Sequence, residues 1–272
     1  MDDIRFGDNL DLLKDIESES VDFIYIDPPL KPGHMQSTKT MKTTQDASGD
    51  REGFAGNGNK TETLSVNFYE DPFENYEAYV EPRLREAYRV LKPNGVLYFQ
   101  IDAREVHYCK VLLDKIFGRK SFINEIIWSW DFAGKPQKQW PAKHQNILLY
   151  AKNPKKFTFN ANDIDRIPYM APGLAGPEKA ARGKLPTDVW WFSIVGPGST
   201  EKTSYSIQGP EAILERMVKA STNPGDVCLD IFAGSGTLGA VCQKLNRHYI
   251  LMDNNPEAFK VMMKRLGIPN LA

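Results

Sequence analysis

Apolar residues recur along this chain in blocks that alternate between short continuous runs and helical spacings. Val21-Asp22-Phe23-Ile24-Tyr25-Ile26 is a run of strand length, and it leads straight into Asp27-Pro28-Pro29-Leu30. Over 74–91, Tyr76, Tyr79, Val80, Leu84, Ala87, Tyr88 and Leu91 return at helical intervals, which predicts a helix. Pro93-Asn94-Gly95 ends it, and 96–101 reads as a second buried strand. An amphipathic helix is expected over 105–117, then two strands over 122–130 and 146–151 around a basic connector. The pattern then turns regular: helix 210–220, strand 226–232, helix 237–245, strand 248–253 and helix 256–266. Strands alternating with helices predict an α/β fold on a doubly wound, mostly parallel sheet.

Two stretches carry no such period. Residues 31–64 are rich in Thr, Ser, Gly and Lys, and are long for a connection inside a compact domain. They read as a functional loop or a disordered one. Residues 155–205 hold several Pro and Gly and read as an inserted recognition region. A length of 272 residues suits one large α/β domain, with or without a small insertion. The formal net charge of −1 gives no global pull toward nucleic acid, so any DNA contact must come from local Lys and Arg clusters. Cys109, Cys228 and Cys242 are far apart in or beside apolar stretches, which fits small buried side chains in a reducing compartment. The four histidines show no ligand spacing with them, and no metal is expected. The start MDDIRFGDNL does not read as a signal peptide, and no apolar run approaches a membrane span, so a cytoplasmic location is expected.

Two motifs carry chemistry. Phe232-Ala233-Gly234-Ser235-Gly236-Thr237 follows an apolar strand and opens a helix. Glycines there let the backbone approach a ligand, and amides at a helix start suit an anionic group. Asp253, at the end of the next strand, could take both ribose hydroxyls of a nucleoside cofactor, or could merely cap the helix near Pro256. The third glycine of a dinucleotide fingerprint and the Lys-Ser/Thr pair of a P-loop are both missing, so S-adenosylmethionine fits better than NAD or ATP. Asp27-Pro28-Pro29 stands where open α/β sheets bind ligands, although such a triplet is also a common turn. An exocyclic base amine is a poor nucleophile because its lone pair is delocalised. Asp27 accepting one N–H and the Pro28 carbonyl the other would draw the nitrogen toward tetrahedral geometry, and the prolines would hold that carbonyl rigidly.

On these motifs the chain resembles the beta-class, circularly permuted amino-DNA methyltransferases, in which a (D/N/S)PP(Y/F/W) motif precedes FxGxG. The likeness runs from Gly7-Asp8-Asn9-Leu10 through 21–30, 88–97, 124–128, 188–190 and 208–239. It implies S-adenosylmethionine as cofactor, a sheet with one reversed strand, and transfer to an amino nitrogen of DNA. Asp at the first catalytic position favours adenine N6 over cytosine N4. The resemblance implies that Asp8 and Asn9 contact the cofactor's adenine, that Asp230 to Gly236 wrap its methionine half, and that Asp253 takes the ribose. Tyr205 to Pro210 matches a "YPTQKP" segment, keeping Gln208 but placing Gly209 where a lysine is usual. Leu30 replaces the aromatic that stacks on the extruded base, a contact worth ~1–3 kcal/mol. Phe54, Phe68, Tyr69 or a tryptophan could substitute.

For double-stranded DNA, the expected contacts are Lys135, Lys138, Lys143, Lys152, Lys155 and Lys156 with Trp128, Trp130 and Trp140, and a 31–64 loop that orders over a flipped base. The organisation expected is a catalytic half over 1–154, a target-recognition insertion over 155–205 and a cofactor-binding half over 206–272. So short an insertion is compatible with a homodimer sharing target recognition. A cognate restriction enzyme is the other partner considered. The competing readings are a cytosine-N4 enzyme, then an RNA or protein-glutamine methyltransferase, which generally places its glycine motif first, then a catalytically impaired DNA-binding relative.

Overall fold

The structure, a computed structural model, describes residues 2–29, 36–45, 51–52, 58–69, 76–132, 136–205 and 208–269. Its chain begins with β1 (Asp3–Phe6), α1 (Asn9–Lys14) and β2 (Val21–Ile26), followed by β3 (Gln36–Gln45), β4 (Arg51–Glu52) and β5 (Gly58–Tyr69). Then come α2 (Tyr76–Val90), β6 (Leu91–Ile101), α3 (Val106–Phe117), β7 (Phe122–Ser129) and β8 (His144–Ala151). Two short helices, α4 (Pro172–Ala175) and α5 (Pro177–Arg182), precede β9 (Val189–Trp191). The end of the chain carries α6 (Glu211–Ser221), β10 (Val227–Asp230), α7 (Thr237–Leu245), β11 (His248–Asp253) and α8 (Pro256–Arg265).

The chain forms two compact units, residues 1–30 with 77–272, and residues 31–76. In the larger unit, eight strands lie in the order β1-β11-β10-β2-β6-β8-β7-β9, and β8 alone runs against its neighbours. The expected doubly wound sheet with one reversed strand is therefore present. All six residues of β2 are buried, because the strand is covered on both faces, and this is why it reads as an apolar run. Phe23, Tyr25, Val96, Tyr98, Ile147 and Leu149 share one core with Ile213 and Met217 of α6 and Leu238 and Val241 of α7. Alternate residues turn to the other face, where the Tyr150 hydroxyl donates to Asp114 of α3 at 2.7 Å. Gly95 is needed at the start of the buried part of β6: a Cβ there would stand 2.8 Å from the Asp22 carbonyl oxygen.

The smaller unit corrects the loop expected over 31–64. β3 pairs antiparallel with β5, from Gln36 opposite Tyr69 to Gln45 opposite Asn59, and β4 adds to the other edge of β5. β3 is rich in Thr, a good strand former, and carries one apolar residue, Met41, so alternation gives no sign of it, whereas the alternating Leu64, Val66 and Phe68 of β5 were an available signal that went unread. Leu30, Phe54 and Lys135 lie outside the described residues. β1, α1 and β9 were not foreseen either. Within 155–205 the described structure is mostly irregular apart from α4, α5 and β9. It is tied down by Asn160, whose amide group donates to the Thr222 carbonyl, and by Arg216, whose guanidinium forks onto Asp165 at 2.8 and 2.5 Å.

Candidate active site

β10 and β2 are parallel neighbours, with Asp230 aligned to Tyr25, so both strands deliver their next residues to the same end of the sheet. From β10 the chain crosses through α7 to β11 on one side; β6 flanks β2 on the other. A crevice opens at such a switch of direction. Asp27-Pro28-Pro29 and Phe232-Ala233-Gly234-Ser235-Gly236, more than two hundred positions apart in sequence, thus come together there.

Asp27 is partly open at the mouth of the crevice, Pro28 is buried and Pro29 is exposed. Burial pushes the Asp27 carboxyl up to about 7. Its Oδ2 accepts from Gln100 Nε2 at 3.2 Å, and the same nitrogen donates to Gln145 Oε1 at 2.7 Å. Gln100 Oε1 in turn accepts from the Tyr25 hydroxyl at 2.9 Å. This relay lies across β2, β6 and β8 and holds Oδ2 of the Asp27 carboxyl group. Gln100 is the functional residue that motif reading missed. A glutamine inside the otherwise apolar Leu97–Ile101 run was the available signal.

The glycine turn is closed largely by its own neighbourhood. Phe232 N–H donates to Asp230 Oδ1 at 2.9 Å, Ala233 N–H to the Met252 carbonyl at 3.0 Å, and Gly234 N–H to Asp253 Oδ2 at 2.8 Å. Asp253 Oδ1 accepts from Asn255 N–H at 2.8 Å, while the cap of α8 is Asn255 itself. Gly236 has φ +73°, and a Cβ there would stand 2.7 Å from Met262 Cγ, so the turn needs glycine both for its backbone and for its packing on α8. Ser235 and Thr237 have their hydroxyls held by Arg265 Nη1 at 3.1 and 3.0 Å. Their side chains therefore join α7 to α8, a role not foreseen.

Asp8 caps α1, accepting from Leu10 N–H at 2.8 Å, and both its oxygens meet Arg83 Nη2 at 3.0 and 3.1 Å. Buried Asn9 donates to the Ile231 carbonyl at 2.6 Å and accepts from Arg83 Nε at 2.6 Å. These two residues bind the β1–α1 turn to the start of the glycine turn, with Arg83 of α2 as their common partner. The Arg83 guanidinium also lies 3.9 Å from the Tyr79 ring centre, and that ring faces Phe232 at 6.2 Å. Gln208 fastens the segment before α6: Thr203 N–H and hydroxyl donate to its Oε1, and its Nε2 donates to the Glu201 carbonyl. In that segment Lys202 Nζ donates to the Tyr205 carbonyl at 2.7 Å, and the Tyr205 ring edge lies where a Cβ on Gly234 would be 3.3 Å away. Burial holds the Lys202 ammonium below its ordinary value.

Three carboxyl groups thus share the crevice. Asp230 is held well above the usual carboxylate range, first by burial and then by the negative charges of Asp27 and Asp253, and Asp253 is raised chiefly by burial. Carboxyl groups clustered in this way accept hydrogen bonds and offer no cation to phosphates, which suits the nucleoside and sulfonium of S-adenosylmethionine better than NAD or ATP. Among the described residues no three His, Cys, Asp or Glu side chains are grouped to hold a metal ion, and no helix is long and apolar enough to cross a membrane. A separate hollow of about 360 Å³, lined by Tyr98, Asn124, Ile126, Trp190 and Arg216 among others, includes none of the crevice residues.

The family model described as DNA methylase, for N6 and N4 methyltransferases, matches residues 21–264. The Type II methyltransferase M.HpaI of Haemophilus parainfluenzae is 34% identical over 254 residues, spanning 93% of this chain and 70% of that protein. The DNA adenine methyltransferase YhdJ of Escherichia coli K12 is 31% identical over 278 residues, spanning 97% of this chain and 82% of that one. Among solved structures, the M1.HpyAVI–SAM complex superposes with a TM-score of 0.62 at 20% identity, over 98% of this chain and all of that one (100%). The cytosine-N4-specific PvuII DNA methyltransferase does so with a TM-score of 0.64 at 17% identity, over 99% of this chain and 87% of that one. With a family model matching residues 21–264 and two relatives above 30% identity over more than nine-tenths of its length, this chain belongs to the N6/N4 DNA methylase family.

Proposed function

We propose that this protein methylates the exocyclic N6 amine of adenine in double-stranded DNA, on a base turned out of the helix, with S-adenosylmethionine as donor. The observation that carries this reading is Asp27-Pro28 at the carboxyl end of β2, beside the glycine turn of β10, in a crevice of three carboxyl groups. The bound donor supplies an electrophilic methyl group. Ionised Asp27 accepts one N–H of the amine and the Pro28 carbonyl the other, which frees the nitrogen lone pair from the ring. Gln100 holds the Asp27 carboxylate in the orientation this needs. When the nitrogen gains a fourth bond it must release a proton, and a carboxyl at about 7 is matched to receive it near neutral pH. Lys202, beside Tyr205 and the glycine turn, offers the donor's carboxylate the positive charge that Gly209 lacks.

Supporting adenine are Asp27 at the first catalytic position and the similarity to the Escherichia coli DNA adenine methyltransferase. Cytosine N4 is the second reading, favoured by the fold shared with the PvuII enzyme. Incubating the protein with DNA and S-adenosylmethionine, followed by mass spectrometry of the nucleosides, decides between them. N6-methyladenine is expected; N4-methylcytosine would replace the first reading, and neither product would end both.

The proposal extends to 155–205 as the target-recognition insertion between a catalytic half (1–154) and a cofactor half (206–272). It includes a homodimer, supported by the brevity of that insertion, and a cytoplasmic location, supported by three buried free cysteines. A cognate restriction enzyme as partner is supported by the Type II names of the relatives.

A further inference from the structure

We propose that residues 136–143, which lead into β8, form a DNA-contacting surface on which Trp140 stacks against a nucleobase left open where the target base turns out of the duplex. The inference rests on the DNA methyltransferase reading and adds a contact that neither motif supplies. The tryptophans of this region differ widely in burial, with Trp130 half-buried against Trp128. Trp128 and Trp190 are 5% and 8% exposed and belong to the core, whereas Trp140 is 94% exposed. Two further aromatics stand out at the same end of the sheet, Phe132 at 65% and Trp191 at 71%.

The topology sets that end. β7 and β9 are parallel to each other, β8 runs against β7 and β6, and β6 is parallel to β2. The carboxyl ends of β7 and β9 and the start of β8 therefore emerge on the side where β2 delivers Asp27. A chain of hydrogen bonds makes the connection local. Asp27 meets Gln100, Gln100 meets Gln145, and Gln145 stands two positions after Lys143 at the end of the connector. The arms of the connector are joined by Trp130 N–H donating to the Lys143 carbonyl at 3.1 Å and by Lys143 Nζ donating to the Phe132 carbonyl at 2.7 Å.

Chemistry selects nucleic acid as the occupant. Residues 136–143 include Lys138 and Lys143 and no acidic side chain, which suits a phosphate backbone. Pro141 directly follows Trp140 and confines it to extended backbone, so little freedom is lost when the ring meets a flat partner. A ring held open to water beside lysines fits a base, whose face is apolar and whose backbone is anionic.

The test uses the full-length protein and a fluorescein-labelled duplex cut from plasmid DNA that the wild type methylates. Trp140→Ala is expected to weaken duplex binding about 5- to 150-fold, the equivalent of one lost base stack. Trp140→Phe should keep most of the affinity, and S-adenosylmethionine binding by calorimetry should be unchanged in both. Lys138→Ala should flatten the salt dependence of DNA binding by about one phosphate contact. Unaltered duplex affinity in Trp140→Ala would overturn the proposal. So would a loss accompanied by a change from dimer to monomer in light scattering, which would assign the patch to self-association. Wild-type protein that methylates no DNA would instead sink the functional reading beneath it.

Discussion

Asp27→Asn separates the two roles of the carboxyl group, because the amide keeps an oxygen for Gln100 but can neither ionise nor take a proton. Burial moves the wild-type group from 3.8 to about 7, which corresponds to about 4 kcal/mol if none of it is relieved by water. Part of Asp27 is open at the crevice mouth, so roughly 2 kcal/mol is the figure to expect. The folded-state value stands above the unfolded one, so folded protein binds the extra proton. Wild-type stability is thus penalised as pH rises from about 4 to about 7, and the penalty is constant beyond. Asp27→Asn escapes it. Urea unfolding should show the variant more stable than wild type by roughly 2 kcal/mol at pH 8, with the gain falling to about a quarter of that near pH 4. In methyl transfer from tritiated S-adenosylmethionine to DNA, the same variant should lose about 10²-fold or more, as when one transition-state hydrogen-bonding group is removed. A stability difference that does not change with pH would refute the assignment of a buried, titrating Asp27. Near wild-type activity would refute its role on the amine.

Gln100→Leu removes a donor to the ionised carboxyl, so the acidic limb of kcat/KM against pH should move above about 7. An unmoved limb would show that the Gln100 contact does not bear on Asp27. Lys202→Met should weaken S-adenosylmethionine binding about tenfold or more by calorimetry, as expected for a lost charge-assisted hydrogen bond, and leave the affinity for DNA alone. Gly236→Ala combines a φ of +73° with a Cβ 2.7 Å from Met262 Cγ and should destabilise the fold by about 2–3 kcal/mol. Gly225→Ala, at φ +88° with open space around it, should cost only about 1–2 kcal/mol. Thermal melts of the two variants give the comparison.

What could be read from the residues alone is whatever depends on near neighbours in the chain. α7 and β11 were expected over 237–245 and 248–253, and they occupy those residues, because helical and strand periods are properties of a dozen consecutive positions. The two motifs were legible for the same reason: each is a turn whose proline or glycine content states its backbone geometry. β1 and β9, with four and three residues, are too short to show a period and exist because β11 and β7 offer them an edge. The β3–β5 pairing stayed hidden because β3 carries a single apolar residue, so the alternating Leu64, Val66 and Phe68 of β5 had no legible partner. In the crevice, pairing across distant strands decided the rest. It placed Gln100 and Gln145 behind Asp27, turned Asn9 toward Ile231 and Arg83, set Arg265 against Ser235 and Thr237, and left Trp140 in water while Trp128 went into the core. Local periodicity encodes which segments become strands and helices, but their order and register follow from the burial of whole faces. Only that burial brings two stretches from opposite ends of the chain to one rim, and only at that rim does the charge of Asp27 acquire its chemistry.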